Sequence, residues 1–134
     1  MTKVLVEAGT SLSAVNKQGR TPLHLAAWNG NRDVTSVLLE AGASLSAVDD
    51  EGRTPLHMAA QWGITEVTKV LVEAGASVFA VEKQGMTPLH RAAEEGHTNV
   101  TKVLLEAGAS LSAVDKQVIK PSVKLIQSNI KLFK

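Results

Sequence analysis

Three histidines stand where chemistry could be done. His24, His57 and His90 each follow Thr-Pro-Leu at intervals of 33 residues, and imidazole is both a frequent general base and a common zinc ligand. Their spacing argues against both uses. If each 33-residue stretch is a unit that packs on the next as helices do, about 8–10 Å apart, no single ion can take nitrogens from all three at ~2 Å. His97 occupies a different slot, filled by Asn31 and Ile64 in the other units, and is expected at the surface. Serines cluster between units with no histidine in register to activate them, and Glu40, Glu73 and Glu106 recur as a solvated helix end rather than as paired acids. The recurring glycines read as stops, not as a phosphate loop. The chain has no cysteine, which removes thiol catalysis, disulfides and thiolate metal sites together. The expectation is a protein that is not an enzyme and has no cofactor or metal.

The elements that position these histidines follow from the repeat. Residues 19–30, 52–63 and 85–96 read GRTPLHLAAWNG, GRTPLHMAAQWG and GMTPLHRAAEEG, with eight of twelve positions shared by all three. TKVLVEAG at 2–9 returns at 68–75, with TSVLLEAG at 35–42 and TKVLLEAG at 101–108. Each unit predicts a helix, a turn, a second helix and an extended loop. Thr21 can cap the first helix, Pro22 suits its first position, and Gly30 can end it in the left-handed region. Leu23, Ala26 and Ala27 share one face of that helix, as do Val34, Val37, Leu38 and Ala41 of the second. Helices this short are marginal alone, so stacking must hold them. After Gly42, ASLSAVDDEG alternates and then turns near residues 49–52, which is β-hairpin chemistry.

This pattern, G-x-TPLH-x-AA-x-x-G followed by VLLEAGA, resembles the ankyrin repeat over residues 2 to about 117. The resemblance implies an all-α repeat fold: an ankyrin-type solenoid of helix-turn-helix units with projecting β-hairpin loops. Full repeats are placed at 16–48, 49–81 and 82–114, after a partial repeat at 1–15 and before a C-terminal cap helix at 115–134, in a single domain spanning 1–134. It also implies that each TPLH histidine ties its turn to Thr21, Thr54 or Thr87 and to the next unit, and that partners bind a concave face of turn tips and first helices. The chain departs from the family where Ser-Leu-Ser stands for the common Asp-x-Asn, and where Asn16 and Glu82 replace the aspartate that opens the turn. Glu82 is the poorer turn former of the two because its longer side chain caps the local backbone less well. Val15, Val48, Val81 and Val114 recur at a slot often polar in the family and predict an apolar stripe, with Phe79 as a further exposed anchor.

On that implied face the first unit offers Lys17, Arg20, Leu25, Trp28 and Asn29, together with Gln18. The second offers Arg53, Met58, Gln61 and Trp62, with Asp50 and Glu51. The third offers Met86, Arg91, Glu94 and Glu95, with Lys83 and Gln84. Both tryptophans of the chain lie in slots that differ by one, so neither belongs to the repeated core. Tryptophan buries a large rigid surface and still donates a hydrogen bond, which suits it to anchor an interface. The alternative is that the indoles only cover the short first helices. Arg91 is spaced to pair with Glu94 or Glu95 on its own helix.

Composition narrows the partner class. At 134 residues and 44% hydrophobic the chain suits one domain, and its net charge of +1 divides into a body of eight basic against eleven acidic residues (16–114) and a tail of five against one (115–134). Two tryptophans and two phenylalanines are too few for the aromatic platforms of a nucleic-acid binder, and the body lacks a basic stripe. No small-molecule substrate is indicated. The apolar runs fall short of the ~20 residues a membrane helix needs, and no signal peptide opens the chain, which gives an expectation of an intracellular, soluble protein that binds another protein. Val123, Ile126, Ile130 and Phe133 share one face of a predicted tail helix, read as a cap, with membrane or partner-groove attachment as the weaker alternative. Met1 occupies the slot of Val34, so an open N-terminal end predicts either a longer array, in which the segment serves assembly, or head-to-tail homo-association.

Overall fold

A computed structural model describes residues 12–109, so residues 1–11 of the N-terminal partial repeat, Val114 and the cap helix expected at 115–134 lie outside the described residues. Six helices and no strand occur among the described residues: α1 Pro22–Asn29, α2 Arg32–Glu40, α3 Pro55–Gln61, α4 Thr65–Glu73, α5 Pro88–Glu94 and α6 Thr98–Glu106. This is an all-helical repeat fold. Within each repeat the two helices pack on each other; α1, α3 and α5 form one layer and α2, α4 and α6 a second.

Proline starts every first helix, where its missing N–H leaves nothing unpaired. The preceding threonine accepts a hydrogen bond from the N–H of the histidine three residues on, at 3.3 Å in all three repeats. Between the helix layers lies a continuous core of Leu23, Ala26, Ala27, Leu38, Leu56, Ala59, Ala60, Val67, Leu71, Leu89, Ala92, Ala93, Val100 and Leu104. Alanine pairs in the first helices keep side chains short where the neighbouring helix approaches.

The second helices bury a face turned slightly from the expected one. Ala41 and Ala74 are exposed at the helix ends, and Thr35, Thr68 and Thr101 are buried instead. Each threonine hydroxyl donates to the carbonyl four residues back, at 2.7–2.8 Å, so its oxygen enters the core without losing a partner. Asn31 caps α2 through its side chain, whereas Ile64 and His97 in the same slot make no such bond.

The loops fold back as tight turns. Asp49 N–H donates to Arg53 O at 2.9 Å and Gly52 N–H to Asp49 O at 2.9 Å, and Asn16 and Glu82 repeat the pattern. So few rungs fit between the turn and the capping threonine that no strand forms. Neighbouring tips are joined by their backbones, Asp50 N–H to Gln18 O at 2.9 Å and Lys83 N–H to Glu51 O at 3.0 Å.

Leu71 is fully buried in α4, between α2 and α6. Leu71→Ala is expected to cost about 2–5 kcal/mol in urea unfolding, while Glu73→Ala, on the exposed side of the same helix, stays within about 0.5 kcal/mol. Equal losses for the two would contradict the layered core.

Candidate functional site

The histidines are built into the stack. Thr21 N–H donates to His24 Nδ1 at 3.1 Å, with Thr21 Oγ1 also 2.9 Å from that nitrogen. An Nδ1 that accepts leaves the proton on Nε2, which donates to Arg53 O of the next repeat at 2.7 Å. His57 does the same with Thr54 and with Met86 O at 2.9 Å, and Thr87 N–H donates to His90 Nδ1 at 2.9 Å. Burial pushes the His24 and His57 imidazoles below their ordinary value, outweighing the carbonyl bonds that favour the charged form. Protonation would also set an Nδ1–H against the threonine N–H.

The charged side chains above these turns form two clusters. Arg20 and Arg53, from adjacent repeats, direct their Nε–H groups at the same oxygen of Asp49, at 3.4 and 3.2 Å, and the Asp49 side chain is 1% exposed. Its other oxygen accepts from the N–H groups of Glu51 and Arg53, both at 2.9 Å. Burial alone would raise the Asp49 carboxyl; the Arg53 amide and guanidinium, the Glu51 amide and Arg20 outweigh it and hold the carboxyl below its ordinary value. In the third repeat the buried Glu82 carboxylate instead takes both Nε–H and a terminal N–H of Arg91, which also reaches Gln84 at 2.7 Å and Glu94 at 3.3 Å. Burial alone would lower the Arg91 guanidinium; the Glu82 and Glu94 carboxylates hold it above its ordinary value. Between the second and third turns runs a groove of about 390 Å³ lined by Glu51, Arg53, Gln61, Glu82, Gln84 and Arg91.

Beside these clusters the two indoles meet. Trp28 and Trp62 stack with ring centroids 6.2 Å apart and planes at 21°, and the Arg20 guanidinium lies 4.6 Å over the Trp28 ring. They remain 38% and 53% exposed. Two exposed tryptophans from adjacent repeats thus share one patch.

Repeat length, paired helices and histidine-bridged turns agree with the matching family models, described as ankyrin repeats in three copies over residues 45–115 and in many copies over residues 5–59. The first match alone spans more than half of the chain. The chain belongs to the ankyrin repeat family. Ankyrin repeats are generally protein–protein interaction modules and typically non-enzymatic. No curated protein matches the chain.

Not every residue expected on the partner face of these ankyrin repeats is at the surface. Lys17, Trp28, Asn29, Trp62, Glu94 and Glu95 are exposed; Leu25, Gln61, Arg20, Arg53 and Arg91 are half-buried. Met58 and Met86 are not surface residues: they are 1% and 5% exposed. Met58 lies in the middle first helix, covered from both sides, and Met86 fills the slot of Arg20 and Arg53 without a charged head to carry outward. The chief partner of Arg91 is Glu82 rather than Glu94, and Glu95 is no partner of it.

Two further expectations change. His97 is half-buried, with Nε2 3.0 Å from Gln61 O, and it packs so close to the end of α3 that a Cβ on Gly63, at φ 68°, would lie 2.5 Å from His97 Nδ1. Its departure from the repeat pattern was the available signal. Glu82 keeps the backbone turn but spends its carboxylate on Arg91 instead of on turn amides. Val15, Val48, Val81 and Phe79 are exposed on the loops. Among the described residues no group of three metal-ligating side chains converges, and no helix is long and apolar enough to cross a membrane.

The histidine shifts carry a sign. With folded values below the ordinary 6.5, the unfolded chain binds more protons over the window beneath 6.5, so stability is full above it and falls as pH drops. Thermal unfolding is expected to be level between pH 7 and 8 and to fall from about pH 6.5 toward 5. His57→Gln should lose about 1–3 kcal/mol at pH 7.5 and show a shallower acid decline; a melting temperature that rises on acidification would contradict the buried neutral imidazoles.

Proposed function

We propose that this chain is a non-catalytic module that binds another protein on the face made by its turn tips and first helices, the concave face of the family. The observation that carries the reading is the Trp28–Trp62 stack, left exposed where the repeated pattern supplies Gln61, Glu94, Asn29 and Glu95 in the corresponding slots. Core demands do not explain it, since those slots hold polar residues elsewhere. Large aromatic side chains already ordered against one another lose little freedom on binding, and such anchors carry much of an interface's affinity. Lys17, Arg20, Leu25, Asn29, Arg53, Gln61, Arg91, Glu94 and Glu95 complete the proposed surface; Met58 and Met86 support it from beneath. No constellation for a chemical step accompanies it among the described residues, and the ring nitrogens of His24 and His57 are already committed to the stack.

Trp28→Ala/Trp62→Ala tests the reading. The double variant should keep its helical circular dichroism and lose about 1–2 kcal/mol of stability, the worth of the stack and its cation–π contact. Partners captured quantitatively from cell extract by the wild-type chain should bind the variant at least about 30-fold more weakly, a loss of 2 kcal/mol or more. Identical capture and affinity for the two proteins would overturn it.

A further inference from the structure

Of the two stacked indoles, one has a cation over its ring. On the Trp28 side the Arg20 guanidinium lies over the ring, held there by the Asp49 carboxylate of the next repeat. Indole face, guanidinium and carboxylate thus make one arrangement: the flat cation meets the electron-rich ring while the anion fixes its edge. Trp62 is the more exposed of the pair, and among the described residues no guanidinium or ammonium group lies over its ring. The arginine of its own repeat, Arg53, is directed to Asp49 and Gln61, and the corresponding residue of the third repeat is the buried Met86.

A carboxylate occupies the matching position of the next repeat. Trp62 and Glu95 are the C-cap residues of α3 and α5, one period apart in adjoining helices of the same layer. Glu95 is exposed and has no ion-pair partner among the described residues, whereas its neighbour Glu94 is engaged by Arg91. The wider surroundings carry the same sign. On the tips and first helices of repeats two and three, Asp50, Glu51, Glu94 and Glu95 are exposed against Lys83 alone, Arg53 and Arg91 being neutralised by Asp49 and Glu82.

We propose that the exposed Trp62 ring and the Glu95 carboxylate form a receptor for an arginine side chain presented by the partner protein, a counterpart of the Trp28–Arg20–Asp49 arrangement. The inference rests on the protein-binding reading above and names the chemistry of the partner. Arginine is favoured over lysine because a planar guanidinium can lie flat on the indole while its edge hydrogen-bonds the carboxylate; an ammonium group cannot do both equally well.

A peptide-display selection against the whole chain, counter-selected on Trp28→Ala/Trp62→Ala, separates this inference from the reading beneath it. Tryptophan-dependent peptides are expected to share an arginine. Replacing that arginine with citrulline, its neutral isostere, should weaken binding about tenfold or more, and with lysine by less. Glu95→Gln should weaken the same peptides about three- to tenfold and leave thermal unfolding unchanged, as befits an exposed, unpaired carboxylate. Tryptophan-dependent peptides that lack arginine, or that bind Glu95→Gln as tightly as the wild type, would overturn the receptor while leaving the protein-binding surface standing. Failure to recover any tryptophan-dependent peptide would overturn both.

Discussion

The His24 and His57 imidazoles each have to satisfy two repeats at once, and the rest of the array depends on their doing so. One ring nitrogen of His24 closes the Thr21 turn and the other takes Arg53 O, 29 residues away; His57 does the same for Thr54 and Met86 O. These helices have seven to nine residues, too few to persist alone. Their stability therefore comes from neighbours, and a neutral ring buried at the joint gives a bond whose geometry fixes the spacing and rotation between units. A charged ring would leave a donor facing a donor. The same demand that makes the joint rigid thus removes these histidines from solution chemistry.

Above the joints, electrostatics vary while the backbone does not. Asn16, Asp49 and Glu82 open three turns of the same hydrogen-bond pattern, yet their side chains settle their needs differently. Asn16 and Asp49 each accept from two amides of their own turn, at 2.9–3.0 Å. Glu82, one methylene longer, reaches past the turn to Arg91. The surface left over is what a partner would meet, and it changes sign and shape from one repeat to the next without disturbing the core.

Much of this was legible in the sequence because the repeat prints it three times. The period gave the helix pairs, Thr-Pro gave the helix starts, and the Leu and Ala positions gave the core. Legibility failed where one position obeys its neighbours rather than its own type. Leu25, Met58 and Arg91 share a slot, but Met58 sits in the middle helix and is covered on both sides, so methionine there reads as surface only to someone unable to see the adjoining repeats. His97 looked like a surface substitution until the Gly63 turn beside it was placed. The candidate surface was half readable: the tryptophans stood out as departures from the pattern, but slots one residue apart gave no hint that the rings stack across repeats. That contact follows from the length and direction of the indoles.

The sharing of Asp49 between Arg20 and Arg53 means that the units are not interchangeable parts. The second and third repeats each carry a buried acid together with the guanidinium that neutralises it, Asp49 with Arg53 and Glu82 with Arg91. The first has Asn16 at the corresponding turn and borrows its anion from the repeat that follows. Gene duplication could therefore copy the second or third module with its charge already balanced, whereas a copy of the first placed before another Asn16-type module would strand Arg20 without a counter-ion. Recombination among such modules is constrained by order as well as by shape.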